Sequence, residues 1–70
     1  MTELKLNGMG FGKVTGQDGK EYVCYEIMGR YYFEVKNYYC KGFHMGHLKE
    51  GKRLSTINKV AQIYGIVVIA

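Results

Sequence analysis

Four side chains in this sequence are soft metal ligands: Cys24, Cys40, His44 and His47. Two thiolates and two imidazoles make a tetrahedral zinc set, because Zn2+ accepts Cys sulfur and His nitrogen alike. The spacing argues against a structural zinc knuckle, which draws its two Cys from positions about two to four residues apart. Here fifteen residues separate Cys24 from Cys40. Cys40, His44 and His47 are near enough in sequence to share an ion. Cys24 joins them only if the chain around them folds over the sheet face that carries it. The expected state is two ordinary thiols and two solvated imidazoles with no cofactor; zinc on Cys24, Cys40, His44 and His47 is the alternative.

Catalysis by the same groups is not expected. A Cys–His nucleophile needs the thiolate held beside an imidazole that a third group orients, and no residue pattern here supplies that third group. Glu26 and Glu34 have the types of a general acid and base, but solvated carboxylates on an outer sheet face explain them as well. There is no P-loop, no Gly-x-Ser-x-Gly and no His-Glu-x-x-His. The spaced glycines of Gly8-Met9-Gly10-Phe11-Gly12 precede no helix whose N-terminus could cradle a dinucleotide. The protein is read as a non-enzyme.

The feature with most chemistry in it is the stretch from Lys36 to Arg53. Residues 1–35 hold four basic against five acidic side chains, residues 36–53 hold five basic against one acidic, and residues 54–70 hold Lys59 alone, so the net charge of +4 arises mainly in the middle segment. There the cations Lys36, Lys41, Lys49, Lys52 and Arg53 are interleaved with Tyr38, Tyr39, Phe43 and His44. Ammonium and guanidinium groups neutralise phosphates and rings stack on unpaired bases, which is what a site for single-stranded or structured nucleic acid requires. Exposed Tyr, Phe and Arg are equally the types that dominate protein interfaces, and a cationic patch steers an acidic protein surface toward it. Two expectations therefore stand for these residues. One is a small basic protein that binds nucleic acid. The other is an inhibitor or accessory protein that docks on and blocks a larger protein, as a phage or mobile-element product would.

The elements that must position these groups are legible from periodicity and turn chemistry. Leu4 and Leu6 alternate with Glu3 and Lys5, the period of a half-buried strand over Thr2–Leu6, and Asn7-Gly8 signals a tight hairpin into a strand from Met9 to Thr15. Gly10 and Gly12 mark a bulge or a close backbone approach within it. Gly16-Gln17-Asp18-Gly19 reads as a turn, and Glu21–Ile27 and Tyr31–Lys36 read as the two strands of a further hairpin. A three-residue loop, Met28 to Arg30, would gather Val23, Tyr25, Ile27, Tyr31, Phe33 and Val35 on a core face and leave Tyr22, Cys24, Glu26, Tyr32, Glu34 and Lys36 outside. That register keeps both carboxylates in water, where a two-residue Gly29-Arg30 loop, the better turn chemistry, mixes Glu26 with Phe33 and Glu34 with Tyr25.

Residues 37–53 show neither a strand nor a helix period and read as a long ordered loop with at most a short strand near Tyr38–Cys40. Ser55 is a good N-cap for a helix over about Thr56–Tyr64, whose apolar face is Ile57, Val60, Ala61 and Tyr64, and Gly65 stops it. Ile66–Ile69 then reads as a strand buried on both faces. The expectation is one α+β domain over residues 1–70: a small antiparallel sheet of three to five strands with an N-terminal meander, one C-terminal helix and a short final strand.

Composition bounds the rest. The opening Met1–Lys5 carries no basic stretch ahead of a long apolar run, and Ile66–Ala70 is far shorter than the roughly 20 residues of a membrane helix. A cytoplasmic setting with reduced thiols and no membrane partner is expected.

Overall fold

The computed structural model describes residues 1–37 and 44–70. Strands β1 (Thr2–Lys5), β2 (Phe11–Thr15), β3 (Glu21–Ile27), β4 (Arg30–Asn37) and β5 (His44–Gly51) are followed by helix α1 (Leu54–Ala61), a 3-10 turn (Gln62–Tyr64) and strand β6 (Ile66–Ile69). The order β2-β3-β4-β5 is an antiparallel meander, and β1 and β6 form a separate parallel pair. The architecture is α+β: an antiparallel sheet with one C-terminal helix and a final strand. Among the described residues no helix is long and apolar enough to cross a membrane.

One face of the meander carries the core. Tyr22, Cys24 and Phe33 point inward and are fully buried under Leu4, Ile57, Ala61 and Ile66, with Leu6 and Val68 closing the edge. The rings of Tyr22 and Phe33 stack at 5.7 Å with planes 6° apart, an arrangement worth about 0.5–1.5 kcal/mol beyond the area it buries. Helix α1 contributes the face its periodicity predicts: Ile57 and Ala61 are buried, Val60 is partly buried, and Tyr64 tilts against Tyr22. Its start is earlier than Ser55 suggests. Arg53 is the N-cap residue, without a side-chain cap, and its carbonyl accepts the Thr56 and Ile57 N–H groups. Gly65 ends the helical segment in the left-handed region, as expected.

Three expectations are corrected. The Asn7-Gly8 signal marks a genuine turn but no β1–β2 hairpin. The Asn7 side-chain oxygen accepts the Met9 and Phe11 N–H groups, while β1 pairs parallel with β6 from Thr2↔Ile66 to Lys5↔Ile69. β1 crosses close over β2, and only a glycine fits beneath it: a Cβ on Gly12 would lie 2.4 Å from the Lys5 carbonyl oxygen. Second, β6 is fully buried on one face only, through Ile66 and Val68, with Val67 and Ile69 half-buried. Asn58 of α1 holds its edge: the side-chain amide donates to the Val68 carbonyl at 3.1 Å and accepts the Val68 N–H at 2.8 Å.

Third, residues 44–51 are no loop. β5 pairs with β4 from Asn37↔His44 to Tyr31↔Gly51, with a bulge opposite Phe33 and Glu34 that leaves Leu48 as the extra residue and packs it against the core. A bulge breaks the period-two alternation in mid-strand, which is why this segment shows no strand pattern. The expected short strand near Tyr38–Cys40 lies outside the described residues.

Candidate binding surface

The register of β3 on β4 decides which side chains face outward. Ile27 pairs with Arg30 across a two-residue turn, Met28-Gly29, and both turn residues have positive φ, at 53° and 82°. Two successive positive φ values match a type I′ turn, whose twist suits a hairpin. The three-residue loop expected from the sequence is therefore wrong, and the faces of β3 are exchanged. Tyr22 and Cys24 go into the core with Phe33 and Val35, while Val23, Tyr25 and Ile27 share the outer face with Arg30, Tyr32, Glu34 and Lys36.

The cost that weighed against a two-residue Gly29-Arg30 loop, carboxylates sharing a face with rings, arises in this register too, and the structure shows how most of it is offset. Glu34 is 8% exposed, and its Oε1 accepts the Tyr25 hydroxyl at 2.8 Å. Glu21, also 8% exposed, lies 3.4 Å from the Lys36 ammonium. Glu26, at the rim of the inner face, accepts the Gly29 N–H at 2.7 Å and so pins the turn. Glu26 and Glu34 thus lie on opposite faces and form no acid–base pair. Burial first, and the Glu34 hydrogen bond second, push the Tyr25 hydroxyl up to about 12. The Glu34 Oε2 is buried with no hydrogen-bond partner among the described residues.

On this outer face Phe11, Tyr25 and Tyr32 stand in register across β2, β3 and β4. Tyr25 and Tyr32 stack on one another at 5.1 Å with planes 18° apart. That spacing is close to the separation of neighbouring strands, so the two rings stand up from the sheet and present edges rather than faces to solvent. Toward the Met28-Gly29 end the surface becomes apolar and exposed: Phe11 is 41%, Ile27 52%, Met9 88% and Met28 97% exposed. The Glu26 N–H donates to the Gly10 carbonyl at 2.8 Å, which holds the turn before β2 beside the end of β3 and brings these side chains to one end of the meander.

The residues singled out in the sequence fare unevenly. Lys36 lies on the outer face, beside Glu21. Lys49 sits on β5 opposite Phe33, and Lys52 and Arg53 are exposed in the connection to α1. Lys36 pairs with Met45, so Lys52 lies seven residues further along, roughly 20 Å at strand rise. Lys36 therefore lies at one end of the described hairpin, while Lys49, Lys52 and Arg53 lie within five residues of one another toward the other end. His44 is placed by its backbone alone, opposite Asn37. Tyr38, Tyr39, Lys41 and Phe43 lie outside the described residues.

The zinc alternative loses Cys24. That thiol is fully buried on the inner face, packed in the core, and desolvation pushes it up to about 11, so no segment folding over the outer face reaches it. Cys40 lies outside the described residues, and His47 is placed by backbone alone, opposite Glu34. Among the described residues no three Cys, His, Asp or Glu side chains come together as a metal site.

Sequence reasoning placed Tyr32 outside but missed Met9, Phe11, Ile27 and Met28 as surface contributors. The signal that could have found them is the Met28-Gly29 turn, about which Tyr25 and Tyr32 are symmetric. Comparison of the chain with protein families, with characterised proteins and with solved structures finds no match.

Proposed function

We propose that this protein acts by occupancy, docking on a partner protein through the apolar end of the meander's outer face. The observation that carries the reading is Phe11 and Ile27, exposed on the outer face, with the turn residues Met9 and Met28 almost wholly exposed at the same end of the meander. Contiguous apolar surface of this kind marks an interaction site, because a fold gains nothing from leaving it in water.

Nucleic acid, the other expectation, is less well supported on two counts. A stacking site needs ring faces turned to the bases, and Tyr25 and Tyr32 each give one face to the other. A phosphate track needs uncompensated cations, and on this face Arg30 and Lys36 are each within ion-pair distance of a carboxylate, which leaves Lys13.

The test is purification of the tagged chain from cells of its native host after nuclease treatment, in wild-type form and as Phe11→Ser. The expected result is a co-purifying protein that binds the purified wild-type chain in stoichiometric ratio and is lost with Phe11→Ser. Co-purification of nucleic acid instead, or a protein retained equally by both forms, contradicts the reading.

A further inference from the structure

Met28 is held at a cost to the fold. It is the one residue other than glycine with a positive φ among the described residues, and at 97% exposure its side chain repays none of that strain by packing. The first central position of a type I′ turn suits Asn, Asp or Gly, because L side chains crowd the backbone in the left-handed region. A strained, exposed and apolar residue on a pinned turn makes sense where something outside the fold uses it. The turn is well fixed: Glu26 accepts the Gly29 N–H, and Gly10, at φ 75°, packs against Glu26 so closely that a Cβ there would lie 3.2 Å from the Glu26 Cβ. Met9 is presented beside it on the turn that the Asn7 side chain holds.

The charges around this tip say what kind of partner fits. Glu26 is engaged by the turn and Glu50 by Arg30, at 2.8 Å. Lys52, which lines the same concavity as Met9, Glu26 and Gly29, has no carboxylate within ion-pair distance among the described residues. An apolar projection beside an unpaired ammonium group is complementary to an apolar pocket with an acidic rim.

We infer that Met28 is the anchor of the docking surface, inserting into an apolar pocket rimmed by carboxylates on the partner protein. The inference rests on the docking reading above and adds the anchoring residue and the chemistry of its receptor.

A displayed library of random peptides supplies the probe. Peptides selected on the wild-type chain are expected to combine apolar residues with flanking Asp or Glu. Their affinity, read by fluorescence anisotropy, is expected to fall at least tenfold on Met28→Asn and several-fold on Lys52→Glu. Met28→Asn is at the same time expected to raise the melting temperature by roughly 4 °C, since Asn tolerates the left-handed region. A variant that is more stable yet binds less separates anchoring from any role in folding. Selected peptides without acidic bias, or affinity unchanged by Met28→Asn, overturn the inference. If Phe11→Ser abolishes peptide binding while Met28→Asn does not, the docking face stands and the anchor fails; if neither variant matters, both fail. Met28-dependent binding to vesicles of equal parts phosphatidylserine and phosphatidylcholine, or to a single-stranded oligonucleotide, overturns the commitment to a protein receptor.

Discussion

The two faces of the meander treat the same residue types in opposite ways. On the inner face Tyr22 and Phe33 are both fully buried, stacked on each other and sealed by α1 and the β1–β6 pair. On the outer face Val23 and Glu34 are buried as well, but toward the Met28-Gly29 end Phe11 and Ile27 keep about half their surface in water, and the turn residues Met9 and Met28 keep nearly all of it. The chain is short enough that its whole stability amounts to roughly 4–10 kcal/mol. A fold with so little margin would gain by burying those four side chains or replacing them with polar ones. The contrast supports the proposed reading, in which the inner face serves stability and the outer end recognition.

The comparison can be broken most readily at its inner side. Phe33→Ala removes a fully buried ring from the centre of the core and is expected to cost about 3–5 kcal/mol, a large share of the total; chemical denaturation should show it. Met9→Ser and Phe11→Ser, by contrast, should each move the unfolding free energy by less than about 1 kcal/mol. Tyr25→Phe falls between them. It takes the only described donor from Glu34, whose Oε2 is already buried without a partner among the described residues, for an expected loss of about 1–3 kcal/mol in the same measurement.

Acid should weaken the inner side through one turn. The Tyr22 hydroxyl, and after it the Lys20 N–H, donate to Asp18 and hold its carboxyl below the ordinary 3.8. The folded chain therefore binds this proton less readily than the unfolded chain, so the stabilisation is complete above the unfolded value and is lost as pH falls below about 4. Urea midpoints measured across that range should decline less steeply in Asp18→Asn than in the wild type. The smallest effect is expected of Arg30→Ala. Its ion pair with Glu50 is 48% and 39% exposed, and breaking it should change stability by no more than about 0.5 kcal/mol.

How much of this was legible in the sequence follows from how local each signal is. The helix face of Ile57, Val60 and Ala61, the Gly65 stop and the strands β2 and β3 are set by neighbours within one element, and their patterns read directly. The pairing of β1 with β6 joins opposite ends of the chain, and no turn residue announces it. Asn7-Gly8 gave a true turn and a false ladder for that reason. The exchange of faces in β3 rests on one backbone fact: Met28 takes a conformation that its side chain disfavours. Composition hides it, and with it the outer placement of Tyr25 and Ile27. β5 was hidden by the bulge at Leu48. The basic and aromatic residues of the middle segment were visible as a run in sequence, but a run does not show that a hairpin sets Lys36 at one end and Lys52 at the other.

Site-specific photo-crosslinking tests the division of labour most directly. A benzophenone amino acid in place of Phe11, at the exposed apolar end, is expected to capture a discrete protein that survives nuclease treatment when the chain is produced in its host. The same group in place of Lys59, exposed on α1, is expected to capture none. Equal capture from both positions, or nucleic acid as the captured species at position 11, would contradict the assignment of that end to a protein partner.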